Sequence, residues 1–562
     1  MEKLRKRAAG WNRTIDRIWA DDRPEDRKRT TDTSESEGTA GQKHTGKGCA
    51  AGFFRRHKWD ILFVVLMGCL LFFLSWILPF DEGPDEKMRY MIPTYIYKHG
   101  TLPAGWDPEI RSKIWGISYA FQPILPYIFG GYLMKLVSLF NSSEKALLMA
   151  ARFINILIGM GFYWYVLQIA KKLFRNRLFR TYFIALLAML PQLLYLFTYV
   201  NTDGIAVFST AMIIYYWLEG LERKWDRGSC TGLAVGIAVC AQSYFNAYGY
   251  ALFSVILFIA SLIVFYRKKG AKKCTALILK RGIYITVIVF LLSGWWFIRS
   301  AVLYDGDILG MKASEACGEL YAMEEYKPSV KQSLQEQGVP LSQMLRSDND
   351  GMEWIRTTYR STIGYFSYYR YALGIDIYEI HKRLFLIGFL GILAYIGLFV
   401  LYWAAEGVRW AAGRFGKEVN LPAGLKRPSV SLPGGKIRGT NFWMLQFSFG
   451  CCIIIPVLLS LYYSYTSDFQ PQGRYIMPMI IPLMYFVAVG TERLVTLPFR
   501  KWFVYVMMIP LFYAVLHVFL AAFVSVYIPT FVEALSSWSE IRFTWLSNLG
   551  WLMKLLHLTV PG

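Results

Sequence analysis

Apolar runs long enough to cross a hydrocarbon core recur along the chain, separated by short polar stretches. Helical spans are predicted at about 60–79, 148–170, 181–200, 204–221, 230–246, 248–266, 282–303, 383–403, 441–463, 475–490 and 502–527, about eleven crossings in all. An all-α polytopic membrane protein follows. The segment Tyr119 to Phe140 is also apolar, but counting it as a crossing would throw every later basic loop to the outside. It is therefore expected to form re-entrant or interfacial helices, with Pro123, Pro126, Gly130 and Gly131 interrupting it.

Ahead of the first span, residues 1–58 are polar and mixed in charge, and read as a mostly disordered basic cytoplasmic tail. Its length and lack of an apolar core argue against a cleaved signal peptide. Residues 59–530 make one fused membrane domain, and 531–562 are expected as an interfacial segment on the outer face. Loops at 81–147 and 304–382, the turn Asn201-Thr202-Asp203 and the short stretch Asp468 to Arg474 fall on that same outer face.

The formal net charge of +22 fits this topology without a nucleic-acid partner. Its clusters (Arg175/Arg177/Arg180, Arg267/Lys268/Lys269, Lys426/Arg427, Arg500/Lys501) sit between apolar runs, where cytoplasmic loops carry Lys and Arg. Arg55, Arg56 and Lys58 likewise hold the N-terminus in the cytoplasm. Eight cysteines are scattered without a disulfide or zinc spacing, and six histidines form no cluster.

Candidate chemistry gathers at the outer ends of spans. Leu78-Pro79-Phe80-Asp81-Glu82-Gly83-Pro84-Asp85-Glu86 closes the first span with four carboxylates, which are costly at that depth unless they react, bind a cation or reach water. Asp85 and Glu86 follow a Gly-Pro turn and suit a general base or a cation site, whereas Asp81 and Glu82 suit solvated supports. Asp203, with Asn201 beside it, either complements that site or caps the helix that follows. Arg474, in Gln472-Gly473-Arg474-Tyr475, either grips phosphate among Tyr462, Tyr463, Tyr465 and Tyr475 or snorkels within an aromatic belt. Gly473 would let backbone approach a ligand closely. Arg299 and Arg370 are weaker phosphate candidates, and Lys113 and Arg89 in the first loop could meet an anionic headgroup.

Taken in order, these motifs form a pattern. Pro84-Asp85-Glu86 is followed by His99-Gly100-Thr101-Leu102-Pro103, Tyr119-Ala120-Phe121-Gln122-Pro123 and Ala151-Arg152-Phe153. Asn201-Thr202-Asp203, Trp295-Trp296-Phe297-Ile298-Arg299-Ser300 with Tyr304-Asp305-Gly306-Asp307, and Gln472-Gly473-Arg474-Tyr475 complete it. From about Ile61 to Tyr527 the chain resembles GT-C fold glycosyltransferases, the superfamily of protein O-mannosyltransferases and lipid A aminoarabinose transferases, and most of all a bacterial branch within it.

The resemblance implies a cell-membrane enzyme that takes a sugar from a polyprenyl-phosphate donor and transfers it, with inversion, to a hydroxyl of a cell-envelope glycan, lipid or protein on the outer face. Asp85 is then the general base, with Glu86 beside it. Asp203 and Asn201 belong to an acceptor or cation site, and Arg474, Arg89, Lys113 and Arg299 contact donor phosphate. The loop holding Trp354 and Ser361-Thr362-Ile363-Gly364-Tyr365-Phe366 is expected to cover the site. Relatives often carry histidine where Arg89 stands, so a divalent cation is left in question, since a guanidinium cannot ligate metal. A flippase or transporter of lipid-linked sugars is the alternative from another class, and a ligase or polymerase with a diphosphate-linked donor is a third.

Overall fold

The computed structural model describes residues 46–346, 353–366, 371–415, 431–432, 435–496 and 501–523. Among them, nine helices are long and apolar enough to cross a membrane. Arg370, residues 1–45 of the expected tail and the expected C-terminal segment 531–562 lie outside the described residues.

Helix α1 (Gly46–Ile77) starts inside the stretch expected as tail and carries Arg55, Arg56 and Lys58 on its first turns. Extending an established helix adds a hydrogen bond for each residue fixed. The extension is also tied down by His57, whose Nδ1 lies 2.8 Å from Asp60, and by Lys171, which pairs with Asp60 from a neighbouring helix. After α1 come α2 (Glu86–His99) and α3 (Leu125–Val137), then the long α4 (Glu144–Leu173). Ser143 caps α4 by accepting from Ala146 N, with Glu144 in its first turn and Lys171 and Lys172 in its last, as the helix dipole favours.

The segment after Tyr119 is indeed broken. It holds a short 3-10 turn and the 13 residues of α3, about 20 Å of helix, which is too short to span. Pro126 opens α3, but Gly130 and Gly131 do not interrupt it. A Cβ at Gly131 would run into Ile96 and the Pro93 carbonyl, so the glycine lets α2 and α3 pack backbone to backbone.

The crossing expected at 181–200 is not one helix. It divides into α5 (Arg177–Ala188) and α6 (Pro191–Leu196), because Leu190 takes an extended conformation ahead of Pro191. Helix α7 (Asp203–Arg223) runs back, and the span expected at 230–246 is the shorter α8 (Arg227–Ala241), capped by Asp226. Long helices α9 (Gly249–Tyr266) and α10 (Ala271–Leu303) follow.

The described residues of 304–346, 353–366 and 371–374 lie between α10 and the next long helix. They contain α11 (Met311–Tyr321), α12 (Leu341–Arg346), α13 (Trp354–Ile363) and a two-residue hairpin that pairs Tyr365 with Ala372 and Phe366 with Tyr371. The chain then re-enters as α14 (Ile375–Arg414), α15 (Thr440–Thr466), α16 (Ile480–Thr496) and α17 (Lys501–Ala522). Helices α14 and α16 touch through main chain: a Cβ at Gly391 would meet the Gly490 carbonyl, and one at Gly490 the Gly388 carbonyl. One continuous apolar core joins α1, α4–α9 and α14–α17, and a smaller cluster fixes α2 and α3 against α4.

Candidate active site

The chain turns sharply between α1 and α2, and two residues there lie in the left-handed region, Asp81 with φ 69° and Asp85 with φ 61°. For a residue with a side chain that conformation costs of order 1 kcal/mol or more and persists only where surroundings impose it. Here Gly83 rests directly on the ring of Tyr199, and Tyr195 Oη donates to the Glu82 carbonyl at 2.5 Å. Asp85 is thereby held at the head of α2, with Arg89 one helical turn further on.

Four charged side chains from three distant segments meet above this turn. Arg474 Nη2 donates to Asp85 Oδ2 at 2.7 Å, and Arg89 Nη1 donates to Asp203 Oδ2 at 3.0 Å. Cross distances of 3.9 Å, Arg89 to Asp85 and Arg474 to Asp203, close the square. Arg89, Asp203 and Arg474 are buried, and Asp85 is the opening, with 26% of its side chain exposed. The formal charges cancel, yet Arg89 Nε, Arg474 Nε and Asp203 Oδ1 are buried without a hydrogen-bond partner. Orphaned polar atoms of this kind are costly in a packed interior and mark a site shaped for something else.

Aromatic residues wall the square. Tyr119 hydrogen-bonds to Asp85, and its ring lies 4.6 Å beneath the Arg89 guanidinium. Tyr475 Oη accepts from Arg474 at 3.0 Å and donates its own hydrogen bond to Gln470 Oε1, while its ring stacks on Tyr244 at 5.7 Å. Burial works to raise the Asp85 carboxyl, but Arg474, then Arg89, and the Tyr119 hydroxyl hold it below the ordinary aspartate value of 3.8. Burial pushes the Tyr119 hydroxyl well above its usual range, so it stays protonated and a donor.

Asp85, Asp203, Arg474 and Arg89 are thus brought together. The other expected site residues are not. Glu86 is fully buried and turned away, accepting from Arg152 Nε at 2.7 Å and Nη2 at 2.6 Å and from the Val200 amide at 3.0 Å. The same Arg152 binds the carbonyls of Ser75, Leu78 and Pro79, so Glu86 completes a clasp that ends α1. With the Asp81 amide donating to Oε2 at 3.2 Å, all four lone-pair sites of the carboxylate are taken, and its position is structural. Asn201 spends its amide on the Leu196 and Tyr199 carbonyls and caps α7 through Gly204 N. Arg299 holds the first loop at the Pro103 carbonyl, 2.8 Å away. Lys113 is exposed on the bend after Ile110, and no hydrogen bond or ion pair joins it to the four among the described residues.

Gly473 also serves another purpose than close approach of a ligand. A Cβ there would strike the backbone of Ser361 and Thr362, and Gly473 N donates to Ser361 Oγ at 2.6 Å. Helix α13 is seated on the arginine-bearing turn in this way, and Trp354 Nε1 pins its start to Ser464 at 3.0 Å. Two residues the motifs contained but to which no role attached, Arg152 and Tyr119, prove central. A lone arginine within an apolar helix was the available signal for Arg152.

The residues present do not fit a divalent cation. Among the described residues no three His, Cys, Asp or Glu side chains gather as a ligand set. Between Asp85 and Asp203, where an ion would have to sit, the Arg89 guanidinium faces both carboxylates.

No family model and no curated protein matches the chain. Among solved structures, the chain is similar to the oligosaccharyltransferase AglB of Archaeoglobus fulgidus, in complex with an inhibitory peptide and a dolichol-phosphate, over 89% of its own length and 58% of that chain, at 13% identity and a TM-score of 0.43. Apo oligosaccharyltransferase from the same archaeon aligns over the same shares at 14% identity and 0.42. Apo ArnT from Cupriavidus metallidurans aligns over 79% of this chain and 78% of its own, at 13% identity and 0.31. The chain spans less than two thirds of the archaeal protein's length.

Proposed function

We propose that this protein is a membrane glycosyltransferase of the GT-C type, moving a sugar from a polyprenyl-phosphate donor to an acceptor hydroxyl on the extracytoplasmic face. The observation that carries the reading is the meeting of Asp85, Asp203, Arg89 and Arg474 at the ends of membrane helices. A catalyst for this transfer needs a carboxylate base beside a phosphate-gripping cation, in a site of low dielectric where both act strongly. The distribution of Lys and Arg supports an outward-facing site.

In the proposed reaction the donor phosphate takes Arg474, whose fork suits phosphate oxygens. Asp85, released from that guanidinium, accepts the proton of the acceptor hydroxyl. The acceptor oxygen forms its bond to the anomeric carbon as the bond from that carbon to the phosphate oxygen breaks, with inversion. Negative charge gathers on the departing polyprenyl phosphate, where Arg474 offsets it. Arg89 keeps Asp203 neutralised and does the work that a cation would otherwise do.

The test is reconstitution in liposomes with a polyprenyl-phosphate sugar, reading release of the lipid phosphate. Asp85→Asn should lower release by about 10²–10⁴-fold while the protein remains folded. Full transfer by that variant refutes the base assignment, and lipid crossing without cleavage would make the protein a transporter.

A further inference from the structure

A second cleft lies at the other end of the bundle. Asp203 opens α7 at the charged square, whereas the last turn of α7 carries Arg223 and that of α4 carries Lys171 and Lys172. Helices α4 and α8 both pack along α7. Between them they leave a cleft of about 530 Å³, well within the range of small-molecule sites. Met212 and Tyr216 of α7 form its floor, Tyr165 of α4 one wall and residues 227–235 of α8 the other. Arg227, Thr231 and Val235 follow each other at four-residue spacing on one helix face, so this wall extends about 12 Å.

Charge is confined to one end of the cleft. Arg227 and Gly228 are exposed at its rim, and Thr231 and Val235 further along are half-buried. Past Arg227 the lining carries no charged residue. The Thr231 hydroxyl is already engaged, 2.8 Å from both the Arg227 carbonyl and the Tyr284 hydroxyl. A Cβ at Gly232 would run into the Tyr216 ring, so that ring lies directly on the α8 main chain and closes the floor against the wall. The rim is net positive: residues 223–227 hold Arg223, Lys224 and Arg227 against a single carboxylate, Asp226. Asp226 is itself committed, accepting from Ser229 N at 2.9 Å and lying 3.7 Å from Arg223.

We propose that this cleft binds one anionic glycerophospholipid from the leaflet opposite the charged square, its phosphate at Arg227 and an acyl chain lying along α8 toward Val235. Helices α4 and α7 are both of spanning length, so an open cleft along them meets lipid tails. Tails alone give little preference, because lipid is as apolar as the lining. The selectivity comes from the rim, since a basic pocket between membrane helices attracts an anionic headgroup. The assignment stands whether or not the protein transfers sugar.

Native mass spectrometry of the full chain in detergent tests it, with phosphatidylglycerol or phosphatidylcholine added in equal amounts. The wild-type protein should retain one phosphatidylglycerol per chain about fivefold more strongly than phosphatidylcholine. Arg227→Gln should bring the two lipids level. Gly228→Leu adds a side chain whose Cβ would meet nothing closer than Asp226 Oδ1 at 3.8 Å, so it fits the fold, fills the cleft and should lower retention of both lipids. Both variants leave the charged square intact, and their melting temperatures report folding. Equal retention of the two lipids by the wild-type protein, an unchanged preference in Arg227→Gln, or unchanged retention in Gly228→Leu overturns the proposal. Displacement of phosphatidylglycerol by an equimolar amount of polyprenyl phosphate would assign the cleft to that lipid and overturn it as well.

Discussion

Arg474 donates to Asp85 at 2.7 Å across 389 residues of sequence. The proposed phosphate contact and the proposed base are therefore each other's ion partner. In the proposed reaction the donor phosphate and the aspartate compete for one guanidinium.

The pairing predicts a specific pH dependence. Arg474, Arg89 and Tyr119 outweigh burial and hold the Asp85 carboxyl below its ordinary 3.8. A depressed folded-state value means that its stabilisation is fully present above the unfolded value, near 4, and is lost as pH falls through the folded one. Thermal unfolding across a pH series should show wild-type and Asp85→Asn protein differing by a constant amount from about pH 5 to 8, with the gap closing below about pH 4. A gap that closes near neutral pH contradicts the ion pair.

Glu86→Ala should destabilise the protein by about 3–5 kcal/mol, because it leaves the buried Arg152 charge without its counter-ion. Arg152→Ala should do the same, and the double variant should cost less than the sum of the two. Unfolding midpoints in detergent measure this. Equal, additive losses would separate the two residues.

Arg89 faces both acidic side chains of the site, 3.9 Å from Asp85 and 3.0 Å from Asp203. Transfer by the wild-type protein is expected to survive a chelator. Arg89→His removes the guanidinium and adds a nitrogen ligand between Asp85 and Asp203, so that variant should gain activity or stability when Mn²⁺ or Zn²⁺ is added. A wild-type protein inactivated by chelation and restored by metal would remove this role from Arg89.

Gly473→Ala forces a methyl group into the backbone of α13. Overpacking of this kind costs about 1–3 kcal/mol. Because the turn carries Arg474, sugar transfer should fall together with the melting temperature. Ser361→Ala, which removes only the hydroxyl accepting from Gly473 N, should have a smaller effect on both.

Much of the architecture was legible because apolar length reports it directly: among the described residues, nine helices of spanning length and the short α3 overlap their expected positions. The single crossing anticipated at 181–200 failed at Pro191, where one residue stopped the helix inside an unbroken apolar run. Asp85, Asp203 and Arg474 could be picked out because charges at span ends stand against an apolar background. Their neighbours could not be sorted the same way. Glu86 differs from Asp85 by one position, and only the location of Arg152 decides that one is clamped and the other open.

The Glu86–Arg152 clasp has a mechanical consequence. It welds the aspartate-bearing turn to two transmembrane helices, so that wall of the site is an anvil and cannot swing. In the proposed reaction, admission of a bulky glycolipid then falls to the opposite wall, where Ser361 Oγ meets Gly473 N and the Pro471 carbonyl, and breathing of the site should be sought there.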